Sequence, residues 1–218
     1  INMKLTNFKK RIYTSFGLIL LIYFIINYDF ILGLSLIIMG IYSLLEFFNI
    51  SKKIIKNKIY LTSVNIFFSS YVFLFCSTFF FFSNFLQLKL ILYLLLFSCI
   101  ASDVGGFIFG KIFKGPKLTK ISPNKTISGA IGSIIFTTLS LLILTFLFIN
   151  QFDYFILIVG FTTSAACQIG DLFFSYLKRK ANIKDTGRIL PGHGGILDRL
   201  DGIFVGIPIG FSSIIFIY

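Results

Sequence analysis

Between Ser175 and Asp201 the chain reads SYLKRKANIKDTGRILPGHGGILDRLD. Lys178, Arg179, Lys180, Lys184, Arg188 and Arg199 supply cations here, and Asp185, Asp198 and Asp201 supply carboxylates. The chain's single histidine, His193, sits in the same stretch, and Asp171 comes just before it. Asp198 and Asp201 are spaced i, i+3, so they share a face if a helix starts at Leu197. With Asp171 they form three carboxylates able to converge. Oxygen donors of this kind suit a hard cation such as Mg²⁺, which commonly also takes substrate phosphates. The same spacing would equally let Asp198 and Asp201 pair with Arg199 and the lysines nearby. The basic residues favour the site reading, because Lys and Arg are natural partners of anionic phosphates. The turn Pro191-Gly192-His193-Gly194-Gly195 offers backbone N–H groups, and helix starts favour anions. A plain tight turn would also use Gly194 and Gly195. His193 would serve as well as an interfacial hydrogen-bonding residue, and Lys184–Asp185 as a surface pair. One histidine with no cysteine beside it does not make a zinc site.

The elements that must hold these groups are written in the composition. The 218 residues are 56% hydrophobic and only 13% charged, with a mean hydropathy of +0.93. Soluble domains carry about 25% charged residues. The expected fold is therefore an all-α integral membrane protein of about seven transmembrane helices. The apolar runs fall at 12–27, 30–50, 59–82, 90–110, 127–149, 154–177 and 202–218. They make a single polytopic domain over 1–218, with N-terminal spans at about 12–82 and a catalytic part at about 90–218. The polar stretch is expected as a loop of about 20 residues between the last two spans. No small-residue cleavage site follows the first run, so it reads as a retained helix.

The net charge of +12 would point to nucleic acid in a soluble protein. Here its distribution points to topology instead. With seven spans, 19 of the 20 basic residues fall in loops on one side and Lys89 alone on the other. Basic loops stay cytoplasmic, so the N-terminus is expected inside, with the polar loop at the cytoplasmic face of an inner (plasma) membrane. No nucleic-acid partner is expected.

Asp103 and Asp171 lie within apolar segments, where an Asp costs about 2.5–3.5 kcal/mol at a helix centre. Each must be near an interface, paired, or bound to a cation. Cys76, Cys99 and Cys167 lie in apolar segments without a CxxC pair and read as buried thiols. Metal-holding carboxylates and phosphate-holding cations in a lipid setting describe phosphoryl or nucleotidyl transfer at a membrane surface.

The residues also carry a family resemblance. Ser175-x-Leu177-Lys178-Arg179, Lys184-Asp185-x-Gly187 and Pro191-x-His193-Gly194-Gly195-Ile196-x-Asp198-Arg199-Leu200-Asp201 fill every fixed position of a 27-residue pattern. That pattern resembles the signature of phosphatidate cytidylyltransferase, also called CDP-diacylglycerol synthase. Looser similarity lies in Ala101-Ser102-Asp103 with Gly110-Lys111, and in Ser122-Pro123-Asn124-Lys125-Thr126-Ile127-Ser128-Gly129, where Ser128 replaces a usual glutamate. Glu46 matches a glutamate common at the end of the second span, with no role that spacing reveals. The resemblance implies an enzyme that converts CTP and phosphatidic acid into CDP-diacylglycerol and pyrophosphate. It implies Mg²⁺, often with a monovalent cation such as K⁺, and a homodimer among membrane lipids. By position, Asp171, Asp198 and Asp201 would serve the metal, and Lys178 would join them in catalysis. Ser175, Arg179, Lys184, Asp185, Arg188, His193, Gly194, Gly195 and Arg199 would bind substrate, with Asp103 and Lys125 as the other half of the site. A related CTP-dependent enzyme, such as a polyprenol kinase or a synthase of CDP-archaeol type, is the nearest alternative. A transporter with ion-binding aspartates would require an inverted repeat, which the sequence does not display.

Overall fold

The computed structural model describes residues 16–119, 121–123, 125–150, 153–187, 189 and 194–217. Among them the regular elements are helices: α1 (Phe16–Asn27), α2 (Asp29–Ile54), α3 (Lys58–Ser83), α4 (Leu86–Phe113), α5 (Ile127–Ile149), α6 (Phe155–Lys180) and α7 (Leu197–Ile217). A lone bridge pairs Lys117 with Thr126. Helices α2 to α7 are each long and apolar enough to cross a membrane, and the chain is an integral membrane protein. Hydrocarbon offers no water to backbone N–H and C=O groups, so a spanning segment must satisfy them within itself, as a helix does. The side chains follow the same logic. Ile37, Phe67, Phe73, Phe107 and Phe216 point outward. Ser43, Ser98, Thr137, Thr163 and Ser164 are fully buried. Their kind bond internally: Thr163 Oγ1 donates to Val159 O at 2.7 Å, and Ser133 Oγ to Ser102 O at 2.8 Å.

The helix ends differ from the expected spans in ways that matter for the site. The start of the first span, 12–15, lies outside the described residues. Between α3 and α4 only Asn84 and Phe85 remain non-helical. Helix extends into the polar stretch from both sides, with α6 ending at Lys180 and α7 beginning at Leu197, leaving less of it outside helices than expected. At its beginning, α6 closes on Asn182 at φ 53°, with the Ile183 N–H donating to Lys178 O at 3.0 Å. At its end, α7 starts at Leu197 rather than at Gly202. The polar run Asp198–Asp201 stays helical because side-chain carboxylates accept the N–H groups that a helix start leaves unpaired. Asp171 consequently lies nine residues inside α6, deeper than the end position expected of it.

The chain divides into two compact units. The first holds the described residues of 1–84 and 177–200. In it α2 packs on α3, with the Phe47 and Phe68 rings stacked at 3.8 Å and Ser51 Oγ bonded to Asn65 Oδ1 at 2.7 Å. The second unit holds the described residues of 85–176 and 201–217. Within it α4 and α5 approach closely through glycines. A Cβ on Gly132 would stand 2.9 Å from Gly105 O, and one on Gly129 would stand 2.8 Å from Gly106 O. Small residues let membrane helices approach so closely, and van der Waals contact then holds them.

Candidate active site

The first unit builds its part of the site around two carboxylates. Lys178, in the last turn of α6, places Nζ 2.7 Å from Asp198 Oδ1 in the first turn of α7. The two side chains are 12% and 9% exposed, so water screens the pair weakly. Asp198 Oδ2 accepts from Thr186 N at 2.8 Å and from Gly195 N at 3.0 Å, and lies 3.0 Å from Thr186 Oγ1. Gly194 adopts φ 88°, where a side chain would be strained, and a Cβ there would approach Asp198 Oδ2 to 2.9 Å. The Thr186 and Gly195 backbone thus closes on Asp198.

The second carboxylate is Glu46, for which spacing offered no role. It is 4% exposed, inside α2 eight residues before its end. Thr186 Oγ1 donates to its Oε2 at 2.6 Å, Leu197 N to Oε2 at 2.9 Å, and Ile196 N to Oε1 at 3.1 Å. Negative charge at the unpaired N–H groups of a helix start is stabilising, so Glu46 anchors the beginning of α7. Gly187 and Gly195 both abut its carboxylate, and a Cβ at either would collide with it. One sequence signal would have found Glu46. An ionisable residue inside an apolar span demands a partner, whether it is Asp or Glu. Thr186 carries no comparable signal.

The second unit holds a pocket of about 230 Å³, with a part-polar lining, among α4, the loop before α5, α5 and α6. Asp103, Lys125, Thr126, Ser133, Gln168 and Asp171 contribute its polar lining. The loop is stiffened by Leu118 N bonded to Lys125 O at 2.8 Å and Ile127 N to Pro116 O at 3.0 Å. Thr126 caps α5, accepting from Gly129 N at 3.1 Å. Lys125 Nζ thereby reaches Asp171 Oδ2 at 2.8 Å, with side chains 31% and 22% exposed. Ser128 stands beside Thr126 Oγ1 at 3.0 Å and supplies no charge. Asp171 Oδ1 lies toward Gly202, and Asp201 O lies against Gly170. Asp201 itself is buried, with Oδ1 accepting from Gly202 N at 3.0 Å. Gln168 was not singled out by its sequence context. Its Nε2 donates to Ala130 O at 3.2 Å, which turns the amide into the pocket wall.

The expected residues therefore divide. Lys178, Asp198, Gly194 and Gly195 are gathered in the first unit, with Asp185 beside Gly194. Asp103, Lys125 and Asp171 are gathered in the second, with Asp201 adjoining through Gly170. Ser175 is half-buried on α6, and Arg179, Lys184 and Arg199 are exposed. Arg188 and His193 lie outside the described residues. The donor chemistry suits a hard cation, since every carboxylate candidate offers oxygen alone. Asp198 meets that need least readily, because donors engage both of its oxygens. Among the described residues no group of three or more His, Cys, Asp or Glu is drawn together as a ligand set. The three thiols are free, with Cys99 and Cys167 buried and Cys76 half-buried.

The sequence model of the Cytidylyltransferase family matches residues 7–217. The chain is 41% identical over 128 residues to the phosphatidate cytidylyltransferase of Rickettsia bellii, covering 54% of this chain and 55% of that protein. It is 40% identical over 126 residues to that of Helicobacter pylori, covering 56% and 46%. With that of Mycobacterium leprae it shares 40% identity over 122 residues, covering 55% and 39%. The chain spans about half the length of the curated relatives it matches.

Proposed function

The chain belongs to the cytidylyltransferase family, and we propose that it transfers the cytidylyl group of CTP to phosphatidic acid, giving CDP-diacylglycerol and pyrophosphate. The observation that carries this reading is the pocket lined by Asp103, Lys125 and Asp171 in a molecule otherwise built of apolar spans. Cations beside carboxylates at a membrane-embedded site suit a reaction in which two polyphosphate or phosphate anions must meet.

In that reaction a phosphate oxygen of phosphatidic acid attacks the α-phosphorus of CTP. The bond to the β-phosphate oxygen breaks, and pyrophosphate leaves with the electron pair. No side chain forms a covalent intermediate, so the protein's work is to position groups and neutralise charge. Lys125, Lys178 and Arg179 bind phosphate oxygens, with Ser175, Lys184, Arg188 and Arg199 extending the anion-binding set. As the family pattern implies, Asp171, Asp198 and Asp201 would hold Mg²⁺, with a monovalent cation such as K⁺ alongside. Bound there, Mg²⁺ supplies positive charge to the leaving pyrophosphate. The seven-span topology with the N-terminus inside puts these groups on the cytoplasmic face of the bacterial inner membrane, where CTP is available. The support is that 19 of 20 basic residues fall in one alternate set of loops and the helix ends flanking them. The working form is a homodimer.

The test supplies labelled CTP to membranes carrying the chain, with and without phosphatidic acid and Mg²⁺. Label is expected in a lipid-soluble product only when both are present. Incorporation that requires a polyprenol instead, or none from the intact protein, overturns the reading.

A further inference from the structure

We propose that Glu46 is a positioning residue for this reaction: from within α2 its carboxylate fixes Thr186 and the start of α7 at Ile196 and Leu197 and, through Thr186, sets how Asp198 faces Lys178. What the positioned groups accomplish rests on the cytidylyl-transfer reading, whereas the positioning itself does not. The contacts are specific to an acceptor with two oxygens. Oε2 takes the Thr186 hydroxyl and the Leu197 N–H, and Oε1 takes the Ile196 N–H. A carboxylate accepts at both oxygens, while an amide of the same shape accepts at one and donates at the other. Glu46→Gln therefore turns a donor toward at least one of those three donors.

Thr186 links this anchor to the cation pair. Its single hydroxyl proton lies between two carboxylates, 2.6 Å from Glu46 Oε2 and 3.0 Å from Asp198 Oδ2. The shorter contact assigns the proton to Glu46. Asp198 Oδ2 is then held by backbone alone, through Thr186 N and Gly195 N. Its Oδ1 meets Lys178. Removing the charge at position 46 frees the Thr186 proton for Asp198 and weakens the hold on the first turn of α7, which carries Asp198. Gly187 and Gly195 fit the same picture, since the space a Cβ would need at each is filled by the Glu46 carboxylate. Thr186, Gly187 and Gly195 to Leu197 are thus shaped by this one side chain, which a glutamate that merely terminated a span would not require.

The test uses the full chain in lipid nanodiscs as wild type, Glu46→Gln, Thr186→Ser and Thr186→Val. Two quantities are read: amide hydrogen exchange across 183–200, and steady-state turnover of CTP with phosphatidic acid. In Glu46→Gln, exchange at whichever of Ile196 and Leu197 then faces the amide NH2 is expected to rise by about tenfold or more, as befits a buried donor losing its acceptor. Exchange within α3 stays unchanged. Residues that orient a site's charged groups typically contribute about 10–100-fold, so kcat is expected to drop by about that factor while KM for CTP holds within about threefold. Thr186→Ser keeps the wild-type values and Thr186→Val follows Glu46→Gln. Wild-type exchange at Ile196 and Leu197 in Glu46→Gln overturns the proposal. So does a loss of turnover that merely tracks the amount of folded protein. If Glu46→Gln does not fold, the Thr186 pair decides, and equal behaviour of serine and valine overturns it. A wild type that turns over no CTP sinks the functional reading, and the exchange measurements then judge the positioning alone.

Discussion

The two units treat their carboxylates in opposite ways. In the first, Glu46 and Asp198 are enclosed: donors from a threonine, a lysine and four backbone N–H groups in 186–197 converge on them. In the second, Asp171 meets Lys125 at the rim of an open pocket, and Asp103 lines the same space. An enclosed carboxylate organises backbone, because each donor it accepts fixes a residue. A carboxylate at an open pocket remains available to a ligand, because water or substrate can exchange at it. The comparison teaches that carboxylates with similar claims on a cation from sequence have different work to do. Asp198 has been drawn partly into the architecture, while Asp171 and Asp103 face the space a substrate can enter.

That contrast can be broken by experiment, beginning where the effect should be greatest. Asp171→Ala is expected to reduce cytidylyl transfer by at least about 10²-fold, on the scale of losing one preorganised electrostatic group, and turnover assays in membranes check it. Its thermal stability should stay close to wild type, since a part-exposed ion pair contributes about 0–1 kcal/mol. Asp198→Ala should behave differently. It removes the carboxylate that Lys178 and the Thr186 and Gly195 N–H groups bond, and breaking a buried pair costs about 3–5 kcal/mol. A large drop in melting temperature together with lost activity is expected, and full stability would erase the distinction between the units. Lys125→Ala should lower kcat/KM for CTP by about tenfold, near one charge-assisted hydrogen bond, with Lys125→Arg recovering part of it. Gly132→Ala should cost about 1–3 kcal/mol through overpacking, because its Cβ has Phe109 and the Gly105 carbonyl in its way. A melt that leaves Gly132→Ala unchanged would show that α4 and α5 can separate without penalty.

Much of this was legible from the chain. Apolar runs marked helices, and α5 coincides with its expected span at 127–149. Asp103, Lys125 and Asp171, widely separated in sequence, do meet at one pocket. The family resemblance read from Ser175 to Asp201 agrees with the family match over 7–217. Helix ends were less legible. Hydropathy placed the start of α7 at Gly202, whereas carboxylate capping carries it to Leu197. Hydropathy scores a polar residue as an end, and only the acceptor for each N–H decides whether it is one. Glu46 was visible as a residue and opaque as a role, because none of its three partners lies near it in the chain.

By itself, then, the sequence determined the medium, the helical class and the inventory of charged groups. These follow from hydropathy and residue type, which are properties of short windows. The tertiary structure alone decided which carboxylate answers which donor. Glu46 and Thr186 are separated by 140 positions, and Lys125 and Asp171 by 46. Partners so far apart are chosen by how helices and loops pack, and no spacing along the chain records that choice.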